Sequence, residues 1–127
     1  MKWEFKDGIP IYQQIVQLLR VGIANETWPP GSKVPAVRDL AFEAGVNPNT
    51  MQRALTELER EGLMYSVRTS GRFITDDEAK LKAVKETLSR DYIEEMIRQL
   101  KGLGYEKDEI IRMVHEVLTG KASEGQA

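Results

Sequence analysis

Apolar residues recur at steps of three and four along most of this chain, and the places where that rhythm breaks mark out its elements. Tyr12, Ile15, Leu19 and Ile23, with Leu18 on the flank, have helical spacing in a segment that opens at Ile9-Pro10. Trp28-Pro29-Pro30-Gly31 closes it, since consecutive prolines and a glycine make a loop. A shorter helix follows Pro35, with Val37, Leu40, Ala41 and Ala44 on its inward face. Gly45 can take the left-handed conformation that ends such a helix. Asn47 is a good N-cap, and Pro48 suits the first helical position, where its missing N–H costs nothing. The helix that begins there buries Met51, Ala54, Leu55 and Leu58 and ends at Gly62, with Arg60 near its C-terminus to suit the dipole. Beyond Gly62, β-branched and aromatic residues at 63–67 and 72–75 read as two short strands around Arg68-Thr69-Ser70-Gly71.

A second region follows Asp76-Asp77. Leu81, Val84, Leu88, Tyr92, Met96, Leu100 and Leu103 continue the three-four rhythm, with Ile93 and Ile97 beside them, as a broad apolar stripe on one long helix. Gly102 and Gly104 interrupt it. A last helix starts near Lys107 or Asp108 and carries Ile110, Ile111, Val114, Val117 and Leu118. Residues 121–127 form a polar tail that is expected to fray. Two helices can hardly bury such a stripe on so small a domain, so a second copy of the chain is expected to cover it. The expected interface residues are Leu81, Val84, Leu88, Tyr92, Met96, Leu100, Ile110 and Val114. The alternative is a monomer in which both helices fold back on the first domain.

Helix, helix-turn-helix and hairpin in that order make a winged helix. The predicted fold is therefore mainly α with a small β-hairpin: a winged helix-turn-helix over 1–76, followed by a two-helix dimerisation appendage over 77–120. Ala41 is small enough for two helices to pack closely, and Val46 is expected to turn inward between them. The second of those helices leads with polar residues, which is the arrangement that presents a helix N-terminus to DNA. Asn47, Asn49, Thr50, Gln52 and Arg53 are the candidates for reading bases, because amides pair with adenine and arginine with guanine in the major groove. Arg38 can reach the backbone or the same groove, and the main-chain N–H groups at the helix start offer a phosphate seat.

Each candidate has a plainer reading. Asn47 is first of all an N-cap, Arg53 could pair with Glu57 one turn on, and Gln52 could be a solvated helix residue. In the hairpin, Arg68, Thr69, Ser70, Gly71 and Arg72 put two guanidiniums on a tip that can enter a minor groove or grip phosphates. The same tip could be an exposed turn whose glycine serves the backbone alone. Lys33 could reach a phosphate or remain a solvated loop lysine.

Charge argues the other way in bulk. The 127 residues carry a net charge of −2, with nine Lys/Arg and nine Asp/Glu in 1–76 and nine against eleven in the remainder. Any DNA-binding face must come from local clustering, with Glu57, Glu59 and Glu61 turned elsewhere. There is no Cys, so disulfides, thiolate metal sites and cysteine nucleophiles are excluded. The single His115 has no repeated metal-ligand spacing around it, and no Gly-rich phosphate loop follows a strand, so neither an enzyme nor a metal or other cofactor is expected. Without a signal-like N-terminus or an apolar run long enough for a membrane span, a cytoplasmic protein with no membrane partner is expected.

The segments Pro10-Ile11-Tyr12-Gln13-Gln14-Ile15, Pro30-Gly31-Ser32-Lys33-Val34-Pro35-Ala36-Val37-Arg38-Asp39-Leu40-Ala41, Val46-Asn47-Pro48-Asn49-Thr50-Met51-Gln52-Arg53-Ala54-Leu55 and Leu58-Glu59-Arg60-Glu61-Gly62-Leu63 resemble the GntR family of bacterial transcriptional regulators. The wing Arg68-Thr69-Ser70-Gly71-Arg72-Phe73-Ile74 extends the match. The Asn-Pro-Asn-Thr turn and the short C-terminal part are similar to the YtrA subgroup. The resemblance implies a dimeric repressor on an operator of two inverted half-sites, with the two C-terminal helices serving dimerisation, and less directly control of a transporter operon. It makes Arg38 a DNA-contacting arginine and puts Asn49 and Thr50 at recognition positions. Pro48 and Gln52 stand where many relatives have arginine, so another relative's operator does not transfer. Ala36 replaces a commonly polar cap, and Thr69 the first wing glycine. Two rivals remain: a winged-helix protein–protein adaptor, which the acidic balance favours, and a member that senses a metal or ligand between its C-terminal helices. The effector, if there is one, is not legible.

Overall fold

The computed structural model describes residues 1–121, so the tail expected at 121–127 lies, from residue 122, outside the described residues. In chain order the elements are α1 (Ile11–Ala24), α2 (Val37–Ala44), α3 (Pro48–Arg60), β1 (Met64–Val67), β2 (Gly71–Ile74), α4 (Glu78–Gly102) and α5 (Lys107–Thr119). They form two compact units, Met1–Leu88 and Ser89–Ala127.

The first unit is a winged helix. Ile15, Leu19 and Ile23 of α1, Leu40 of α2, and Met51, Leu55 and Leu58 of α3 are fully buried together, joined by Met64 and Ile74 of the hairpin. Ala41 and Ala54 are buried where these helices meet, and small side chains let the backbones approach. Gly45 takes φ 70°, the left-handed cap that turns the chain between α2 and α3, and Val46 donates its N–H back to the Ala41 carbonyl at 2.9 Å. α2 itself starts at Ala36 with no side-chain cap. β1 and β2 pair antiparallel with Tyr65 opposite Phe73, their rings stacked 5.8 Å apart.

Two features differ from the sequence expectation. α1 stops at Ala24, and Trp28 folds back over it, its N–H donating to the Gly22 carbonyl at 3.0 Å. The ring occupies the space a side chain at Gly22 would need. The prolyl loop after Trp28 is also more ordered than a turn. Gly31 donates to Ile74, Val34 donates to Arg72, and Ile74 donates back to Ser32, so this segment lines the outer edge of β2. Pairing that edge leaves the wing with one exposed edge fewer.

The first unit also runs further than the expected boundary at residue 76. Leu81 and Val84 of α4 pack against its core, and Leu88 is buried. The apolar stripe of α4 is therefore divided: Leu81 and Val84 are engaged by the core of the first unit, and Leu88 is buried, so these three are covered within the chain rather than left for a second copy. In the second unit, α5 opens with a reciprocal capping box between Glu106 and Glu109 and ends at Gly120 with φ 72°. Among the described residues of that unit, Ile110 is the only buried hydrophobic, with Leu100 and Val114 half-buried. Tyr92, Ile93, Met96, Leu103, Ile111, Val117 and Leu118 are exposed.

Candidate nucleic-acid interface

The leading turn of α3 is built by its cap. Asn47 has an extended backbone, and its Oδ1 accepts the Asn49 N–H at 2.8 Å, while Pro48 occupies the first helical position. The carbonyl of the Asn47 side chain is thus committed to the helix, as its plainer reading expected. Because Met51, Ala54, Leu55 and Leu58 turn into the core, helical geometry carries Asn49, Gln52 and Arg53 outward, with Thr50 half-buried at the margin. Gln52 donates to the Thr56 hydroxyl at 3.2 Å along the same exposed face.

Arg53 is held in a way the sequence did not suggest. Its guanidinium lies over the Tyr12 ring of α1, 3.6 Å from the centroid. The alternative pairing with Glu57 is not formed, because Glu57 gives its carboxylate to Arg60. The hydrogen bond from Arg60 holds the Glu57 carboxyl below the usual carboxylate range. Glu61 is bonded by Arg20 of α1, with Nε to Oε1 at 2.8 Å. Glu59 accepts from the Ser66 hydroxyl at 2.7 Å and pairs with Arg72. Each carboxylate of α3 thus has an arginine partner, which is how an acidic chain frees the other end of this helix from their field.

That last pair corrects the expectation of two outward guanidiniums on the wing. Arg72 stands at the start of β2, where the pleat turns it back toward α3, and its side chain is only 17% exposed. It ties the wing to the recognition helix. Arg68, Thr69 and Ser70 are exposed at the tip, with Gly71 beside them at φ 107°. Thr69, standing in place of a glycine, still takes φ 70°. Lys33 is exposed and paired by its backbone to Phe73, so the segment that follows Pro30 brings it beside the wing.

Two clefts show how these pieces meet. One is lined by Lys33, Ala36, Val37 and Asp39 together with Thr69–Arg72, uniting the start of α2 with the wing tip; Arg38 is exposed in that first turn of α2. The other is lined by Ile11, Tyr12, Asn49, Thr50 and Arg53, where α1 flanks the leading edge of α3. Tyr12 was legible only as one more apolar position of α1. The signal that marks it out is a phenol in the first turn, where an aliphatic residue would serve packing equally well. Among the described residues no group of three or more His, Cys, Asp or Glu could hold a metal ion, and no helix is long and apolar enough to cross a membrane. His115 is exposed on α5.

A helix-turn-helix whose Asn47-capped polar leading edge faces outward, flanked by a hairpin with a cationic tip, defines a winged-helix DNA-binding regulator. The chain belongs to the GntR family: the family model described as bacterial regulatory proteins, gntR family, matches residues 11–74. It is 33% identical over 117 residues to the HTH-type transcriptional regulator YhcF of Bacillus subtilis, covering 92% of this chain and 97% of that one. It is 32% identical over 114 residues to the HTH-type transcriptional repressor YtrA of the same organism, covering 88% and 87%, and its place is with the YtrA-like subgroup. Among solved structures, a GntR family transcriptional regulator from Listeria monocytogenes superposes with a TM-score of 0.81 at 36% identity, over 88% of this chain and 98% of the other.

Proposed function

We propose that the chain is a homodimeric repressor that sets α3 of each subunit in a major groove of one operator and lays the wing on the adjacent backbone. The observation that carries this reading is the outward polar edge of α3, whose Asn49, Gln52 and Arg53 face away from a core formed by the opposite side of the same helix. Arg38 and Arg68 supply charge on either side, and Ser70 and Gly71 let the wing backbone come close to DNA. The second unit supports the dimer: it leaves Tyr92 57% and Leu118 80% exposed while burying, among the described residues, one apolar side chain. A second copy is the fitting cover, because two-fold pairing also sets two half-sites about one helical turn apart, or a multiple of that. Met96, Leu100 and Val114 join Tyr92 in the proposed interface. The similarity to a named repressor supports repression, and a DNA target is consistent with work in the cytoplasm.

Selection of preferred sites from random duplex DNA by the full chain tests the proposal. Enrichment of an inverted repeat, bound with an affinity that falls steeply with salt, is the expected result. Failure to enrich any sequence would favour the adaptor reading, and enrichment of a lone half-site would remove the dimer.

A further inference from the structure

The contact between Arg53 and Tyr12 joins the recognition helix to an element outside the helix-turn-helix. We propose that Tyr12 is a positioning residue for Arg53, which makes α1 a determinant of base preference; this rests on the reading of α3 as the base-reading helix. The geometry is specific. A guanidinium stacked on an aromatic face keeps its in-plane N–H donors free, and those donors form the bidentate pair with guanine O6 and N7. Glu57, the carboxylate that could have drawn Arg53 back along α3, is occupied by Arg60. The Tyr12 ring is itself fixed: it packs against the core, and its hydroxyl accepts from Gln13 Nε2 at 3.3 Å. At the other end of the same two helices, Arg20 and Glu61 hold α1 and α3 in register. A long cation that would otherwise sweep through many rotamers is thus held beside Asn49 and Thr50, in the cleft these residues share with Ile11. Ordering it before DNA arrives removes part of the entropy lost on binding.

The full chain first selects its preferred duplex; variants are then titrated against that duplex and each of its single base-pair substitutions. Arg53→Gln should weaken binding roughly tenfold or more and abolish discrimination at one base pair in each half-site. Tyr12→Leu should weaken binding about threefold to tenfold and flatten discrimination at that same base pair, while Tyr12→Phe, which keeps the ring, stays within about twofold of the parent. In the Arg53→Gln background, Tyr12→Leu should add nothing. The inference is overturned if Tyr12→Leu weakens all duplexes equally with the preference profile intact, or if its penalty is the same with and without Arg53. If Arg53→Gln binds every duplex as the parent does, the assignment of Arg53 as a reader fails first and takes the inference with it. Thermal unfolding accompanies each titration; should Tyr12→Leu fail to fold, Tyr12→Met, unbranched and still apolar, repeats the comparison.

Discussion

Thr69 carries a conformation that its side chain resists. At φ 70° a β-branched residue sits in the left-handed region that glycine enters freely, and the penalty is of order 1 kcal/mol or more. Thr69→Gly should therefore raise stability by about 0.5–1 kcal/mol despite the greater freedom of glycine in the unfolded chain, read as a higher urea midpoint. A lower midpoint would mean that the threonine side chain holds the tip together. Arg38 is exposed in the first turn of α2 and makes no side-chain hydrogen bond or ion pair among the described residues. Arg38→Ala should cost roughly 1–3 kcal/mol in operator binding if the arginine pairs with a base, with preference relaxed at that position. A loss uniform across operator variants would make it a phosphate contact. The sequence showed both residues as candidates. It could not show the φ angle, because conformation at a hairpin tip is imposed by the register of the two strands.

At the scale of elements, the wing and α3 act as one body through Glu59. Partial burial pushes the Glu59 carboxyl up, but hydrogen bonds from Ser66 and Arg72 and the Arg72 charge outweigh it, and its pKa lies below the ordinary carboxylate value. A group with a depressed folded pKa contributes its stability above the unfolded value, and that contribution is lost as pH falls through the folded one. The Ser66 and Arg72 amide resonances should thus titrate with a midpoint below the usual carboxylate range, and Glu59→Gln should abolish that titration. A midpoint at or above the usual range would deny the anchoring. The two wing arginines should also separate. Arg72→Ala should lower the melting temperature, at about 1 kcal/mol for a partly buried pair. Arg68→Ala should leave melting unchanged and reduce the salt slope of DNA binding by about one. Both arginines read alike in the sequence. Strand alternation turns one inward and the turn sends the other out, and the carboxylate that receives Arg72 lies thirteen residues away on another element.

For the whole molecule, the prediction concerns the face of the second unit. Tyr92→Glu with Met96→Glu should convert a dimer to a monomer in sedimentation, leave the winged helix folded, and weaken binding to a two-half-site duplex far more than to one half-site. Retention of the dimer mass would place the interface elsewhere. Unfolding of the parent should shift upward with protein concentration, as mass action requires for a folded dimer.

Local chemistry settled much of this protein before any long-range contact formed. The three-four spacing, the Asn-Pro helix start and the glycine stops depend on neighbours within a turn or two, so the element order and the outward edge of α3 could be read directly. Packing between distant segments decided the rest. It seated Leu81 and Val84 on the first unit, paired the segment after Pro30 with β2, gave each α3 carboxylate an arginine, and laid Arg53 on Tyr12. Apolar periodicity says that a side chain will be buried but not by what. A charged side chain long enough to reach several partners takes the one that the assembled core brings within range.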